Sequence, residues 1–134
     1  MNKVIVMSGK RKRAIARATI RPGKGSVKVN SVPLDFVMPR ISRMKIEEPL
    51  MIAGEAANEM SIDIDVRGGG INSQAEAARL AVAKGIIAYT KDAKLKKEFI
   101  TYDRNLLVAD VRRKESAKPN RHSQARSKTQ KSYR

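Results

Sequence analysis

The chain has 134 residues, 41% apolar and 31% charged, with a formal net charge of +16. That is apolar enough for one modest core and too basic for an ordinary small enzyme, so a polyanionic partner is implied. With no cysteine and a lone histidine, His122, disulfides and the usual zinc-binding sites are excluded, no metal or cofactor is expected, and no run approaches the ~18 apolar residues of a membrane span.

Taken in chain order, Val4 to Met7 form a β-branched run that predicts a short buried strand over residues 3–7. The basic cluster Lys10, Arg11, Lys12 and Arg13 follows. In AIARATIR, Ala14, Ala16, Ala18 and Ile20 alternate with Ile15, Arg17, Thr19 and Arg21, so a strand there packs one face and keeps both arginines on the other. The loop PGKG, with Lys24, then leads into SVKVN, where Val27 and Val29 alternate with Lys28; together these predict a hairpin with a basic side. Helical spacing at Ile41, Met44, Leu50 and Met51 predicts core cover, with Pro49 opening a second helix or kinking the first. Met60, Ile62, Ile64 and Val66 alternate with Ser61, Asp63, Asp65 and Arg67, the clearest strand signal in the chain. After Gly68, Gly69 and Gly70, Ser73 and Glu76 have the spacing of a capping box before a long helix whose inner face is Ala75, Ala78, Val82, Ile86 and Tyr89. A shorter helix from Asp92 to about Ile100 pairs Leu95 with Phe99. The set predicts an α+β domain over residues 1–110: a small mixed or antiparallel-leaning sheet, helices on one face, the other face free for a ligand.

Charge is segregated. Residues 1–28 carry nine basic side chains and no acid; residues 111–134 carry nine basic side chains and only Glu115; residues 29–110 hold eleven basic and twelve acidic ones. The closing stretch PNRHSQARSKTQKSYR is almost devoid of apolar groups, so ordering it at about 1–2 kcal/mol per residue needs an anionic partner. An extended basic tail over residues 111–134 is expected. The glycines lack the GxxxxGK[ST] and GxGxxG spacings of nucleotide loops; they permit a tight turn and a close approach to phosphate beside Arg67 and the following helix. Asp63 and Asp65 lie on a polar strand face with no cysteine or histidine near them in sequence, so no catalytic constellation is formed and no enzyme is expected. Aromatic residues are only 4% of the chain and just Tyr133 lies among cations, so phosphate gripping by shape, not base stacking, is implied.

Taken together, GKRKRAIARATIRPGKGSVKVNSVPL, RGGGINSQAEAARLAVAKGI, DRNLLVADVRRK and the closing QKSYR resemble the small-subunit ribosomal protein nine family in its archaeal and eukaryotic form. The resemblance spans nearly the whole chain. It implies a cytoplasmic ribosomal protein of the subunit head, with the fold of the second domain of ribosomal protein five, including a left-handed βαβ crossover. Its implied partners are small-subunit rRNA, peptidyl-site tRNA and neighbouring ribosomal proteins of the head. By position it assigns Lys131, Ser132, Tyr133 and Arg134 to tRNA, and Arg112, Arg113, Lys114, Lys118, Arg121, Arg126 and Lys128 to rRNA, beside the basic residues of 10–28. An RNA-processing subunit sharing the crossover fold is disfavoured because its Arg-Asn-Arg motif is missing.

Overall fold

A computed structural model describes residues 3–126. Five strands form a mixed sheet: β1 (Ile5–Arg11), β2 (Ala14–Pro22), β3 (Val27–Val29), β4 (Val32–Pro33) and β5 (Met60–Arg67), in the order β1-β2-β5-β3-β4. The helices are α1 (Arg40–Ala53), α2 (Glu55–Asn58), α3 (Ile71–Thr90) and α4 (Ala93–Tyr102). The α+β reading is therefore correct, with β1, β2 and β5 antiparallel and β3 parallel to β5.

Alternation decides the faces. Ala14, Ala16, Ala18 and Ile20 of β2 and Met60, Ile62, Ile64 and Val66 of β5 are buried, while Arg17, Arg21, Asp63, Asp65 and Arg67 stand on the open side. Against the buried face lies α3, whose Ala77, Ala78, Ala81, Val82, Ala83 and Ile86 join the same core. Small residues bring helix and sheet close together. At Gly9 an added Cβ would fall 2.3 Å from the Ala77 carbonyl oxygen and 2.7 Å from the Ala81 nitrogen, so only glycine lets β1 lie this near α3. Leu95 and Phe99 of α4 are buried as their spacing predicts.

Four local expectations are corrected. The first strand is neither confined to residues 3–7 nor buried: it runs to Arg11 at the sheet edge, where only alternate residues meet α3, and Val4 and Val6 are exposed. The hairpin is not β2–β3 around PGKG. It is β1–β2, with Arg11 opposite Ala14 and the tight turn at Lys12 and Arg13; the eight-residue β5 takes the long outer edge of β2, leaving the three-residue β3 to pair beyond it. The Asn30 side-chain amide then extends the β3–β5 ladder, donating to the Val66 carbonyl at 3.3 Å and accepting from the Val66 amide at 2.9 Å. In α1 the buried residues are Ser42, Ile46 and Pro49, with Pro49 inside one helix; of the expected core cover Leu50 packs against the core, whereas Ile41, Met44 and Met51 are exposed. Finally, Ser73 and Glu76 form no capping box. Gly70 is the N-cap of α3, and the Glu76 carboxylate is drawn away by two cations.

Candidate nucleic-acid interface

Three segments meet at the N-terminus of α3. The β1–β2 hairpin brings Lys12 and Arg13 to its tip, and Ile15 pairs with Arg67 at the end of β5. From there Gly68 and Gly69 turn the chain in left-handed conformations, φ 78° and 66°. A Cβ on Gly68 would lie 2.6 Å from the Arg13 carbonyl oxygen, so the glycines serve both the turn and the packing of the loop against the hairpin. The Gln74 side-chain amide donates to the Gly68 carbonyl at 3.1 Å and ties the loop to the helix. After α4 the chain returns to the same place at residues 112–114. The result is a cleft of about 790 Å³ lined by Arg11, Lys12, Arg13, Gly69, Gly70, Ser73, Arg112, Arg113 and Lys114.

Six cations and no carboxylate line this cleft. Its floor is the first turn of a 20-residue helix whose N-cap, being glycine, supplies no side-chain acceptor for the leading amides. Those amides and the positive end of the helix dipole add to the field of the side chains. The arrangement suits an anion, and phosphate in particular. Arg13 also borders a second depression, of about 370 Å³, with Ile15, Arg17, Asp65, Arg67 and Gly68. A basic track thus runs from the cleft onto the open sheet face, where Lys10, Arg21, Lys24 and Lys28 are also exposed. Two acids interrupt it: Asp63 is opposite Lys28, and Asp65 lies 3.8 Å from Arg67.

The cations are not equivalent. Alternation puts Arg11 on the helix side of β1, where its Nε donates to Glu76 at 2.6 Å and its Nη2 lies 3.6 Å from Asp110; only 14% of its side chain is exposed. Lys45 reaches the same Glu76, and Arg79 joins Glu48 at 2.6 Å and Asp103 at 3.1 Å. Arg112 donates from its backbone and side chain to Asp110, and this bonding, reinforced by Arg11, holds the Asp110 carboxyl well below the usual carboxylate range. Lys12, Arg13 and Lys114 have no carboxylate within ion-pair distance among the described residues, and Arg113 bonds only to backbone carbonyls. Further along, Lys118 and Arg126 both bond Glu115, lowering its pKa, and Arg121 donates to the Arg126 carbonyl. Lys128, Lys131, Ser132, Tyr133 and Arg134 lie outside the described residues.

Sequence reasoning missed the pairing that brings residue 110 back to residue 11 and so joins the two basic ends of the chain. One signal was available: Asp103 and Asp110 are acids just before a segment otherwise dominated by cations. Among known proteins, residues 9–134 match the family model described as Ribosomal protein S9/S16. The chain belongs to this family. It is a structural, non-enzymatic family, in agreement with the missing catalytic constellation. Close relatives share its archaeal form. The "Small ribosomal subunit protein uS9" of Methanothrix thermoacetophila is 50% identical over 132 residues, covering 98% of this chain and 99% of that protein. A protein of the same description from Methanococcus maripaludis strain C5 is 48% identical over 133 residues, with the same coverage. Among the described residues no helix is long and apolar enough to cross a membrane.

Proposed function

We propose that this protein is a structural constituent of the small ribosomal subunit, seated in its head by phosphate contacts to rRNA. The observation that carries the reading is the convergence of residues 11–13 and 112–114, a hundred positions apart, on one carboxylate-free cleft at a helix N-terminus. A core obtains nothing from gathering like charges; an RNA backbone does. Lys12, Arg13, Arg113 and Lys114 hold phosphates in the cleft. Lys10, Arg17, Arg21, Lys24, Lys28 and Arg67 extend the contact over the open sheet face, while Arg11 and Arg112 act chiefly by shaping the cleft wall. The near absence of aromatic residues on this surface favours recognition by shape over base stacking.

The domain of residues 1–110 acts as the anchor and residues 111–134 as an arm. On this reading Lys118, Arg121, Arg126 and Lys128 follow rRNA, and Lys131, Ser132, Tyr133 and Arg134 reach peptidyl-site tRNA, as family resemblance implies. The same resemblance gives the β3-α1-β5 crossover its left hand and relates the domain to the second domain of ribosomal protein five. The ribosomal placement is supported by the archaeal relatives named as small-subunit proteins, which match over almost the whole chain. The work is done on the ribosome in the cytoplasm.

UV crosslinking of the tagged protein in cells, with sequencing of the attached RNA and mass mapping of the attached peptide, tests the reading. Expected are attachments of residues 10–28 and 112–114 to small-subunit rRNA, and of the last residues to tRNA anticodon stems. Recovery of scattered transcripts or precursor tRNA without enrichment of small-subunit rRNA would overturn it.

A further inference from the structure

One part of the surface does not fit an RNA partner. Residues 34–59 hold five acidic side chains and three basic ones in a chain whose net charge is +16. The same segment exposes Phe36 (73%), Met38 (82%), Ile41 (65%), Met44 (51%) and Met51 (77%). Helical geometry places Ile41, Met44 and Met51 at i, i+3 and i+10, on the side of α1 turned away from Ile46 and Pro49. Phe36 and Met38 sit in the approach to that helix. Three of the chain's six methionines are in this one patch, and methionine is the side chain that best adapts to an irregular protein surface.

An apolar stripe of this kind on an RNA-binding protein has two possible coverings besides solvent, and charge separates them. Glu47 and Glu48 are already held by Arg43 and Arg79, and Lys45 by Glu76. Among the described residues RNA backbone would therefore meet the unpaired carboxylates of Asp35, Glu55 and Glu59 against one unpaired cation, Arg40, and be repelled. A protein surface with an apolar centre and a basic rim would complement both features at once. We propose that the outer face of α1, with Phe36 and Met38, docks a second, basic RNA-binding protein of the same particle. The inference rests on the ribosomal reading above, and it divides the molecule into an RNA side and a protein side.

The sign of an added charge tests it. Met44 and Met51 are exposed, so Met44→Lys/Met51→Lys leaves folding intact, which thermal melting verifies. If a basic protein covers this face, the variant loses apolar contact and gains repulsion. Its retention on small subunits in competition with wild type then falls about tenfold or more, while the isolated variant binds naked small-subunit rRNA at least as well as wild type. If RNA covers the face, two added cations raise retention, and the proposal fails. A photocrosslinking residue at position 44 or 51 of the full chain, in purified subunits, gives the direct readout, with position 12 as the companion site. Attachment of positions 44 and 51 to a Lys- and Arg-rich protein of the subunit supports the proposal; attachment to rRNA, to a second copy of this chain, or to nothing overturns it. Position 12 reports separately on the ribosomal reading: failure there to reach rRNA sinks that reading, whatever positions 44 and 51 do.

Discussion

Two clusters of cations lie side by side in this molecule and do opposite things. Arg11, Lys45 and Arg79 are held by Glu48, Glu76, Asp103 and Asp110, and they join β1, α1, α3 and the segments after α4 into one body. Lys12, Arg13 and Lys114 face the adjacent cleft with no carboxylate partner among the described residues. The residue types are the same. What separates them is position: Arg11, the last residue of β1, lies on the helix side among carboxylates, while its neighbour Lys12 stands in the turn and faces open space. Formal charge therefore overstates the surface that can meet RNA, and partner geometry decides which cations remain available.

The contrast is sharpest if the clusters are removed separately. Arg13→Ala/Arg113→Ala/Lys114→Ala is expected to lower affinity for small-subunit rRNA about a hundredfold at physiological salt and to flatten the salt dependence by about three phosphate contacts, with the melting temperature little changed. Filter binding across a salt series measures both quantities. Arg11→Ala reverses the pattern. It leaves Glu76 and Asp110 without their shared, largely buried cation, so urea unfolding should show a loss of about 2 kcal/mol, less than a fully buried pair because Glu76 is partly exposed. Equal effects of the two variants on stability would erase the distinction.

Acid probes the holding cluster and not the cleft, which has no carboxylate in its lining. Asp110 has a folded-state pKa depressed below its ordinary value, so its contribution to stability is present in full above about pH 4 and is lost as pH falls below that. Circular dichroism melts between pH 7 and pH 2 should show this loss in the wild type, and Asp110→Asn should shrink it. Persistence of the full acid sensitivity in that variant would place its origin elsewhere. The smallest effect concerns Lys12, which holds a left-handed φ of 53° at the hairpin turn. Lys12→Gly removes both the strain and the charge, so stability should rise by about 0.5 kcal/mol while rRNA affinity falls several-fold. A variant that is more stable and binds more weakly identifies a residue kept for its partner and not for the fold.

What could be read from the sequence follows the range of the interactions involved. The faces of β2 and β5 were legible because alternation is local: Ala14 to Ile20 and Met60 to Val66 report burial residue by residue. Strand partners were not, because nothing inside PGKG or SVKVN says that β5, more than thirty residues further on, will come between β2 and β3. The core face of α1 was misread for a related reason. Of the four residues in helical register only Leu50 packs against the core; Ile41, Met44 and Met51 are exposed while Ser42, Ile46 and Pro49 are buried, and composition does not distinguish a side that packs at home from one turned outward. The concentration of charge at 10–13 was legible, whereas its division into Arg11 and the rest required the positions of Glu76 and Asp110.

The sheet order also sets a timetable. The β1–β2 hairpin is complete at Pro22, but its outer partner begins at Met60 and ends at Arg67. At synthesis rates of about 5–20 residues per second, several seconds can pass between the two events. Throughout that interval the long edge of β2 and the apolar row from Ala14 to Ile20 have no mate, which is the condition under which nascent strands pair with one another. The first 28 residues contain nine cations and no acid. Neighbouring nascent hairpins therefore repel each other, and before the fold is complete the same charge serves to keep unfinished copies of the chain apart.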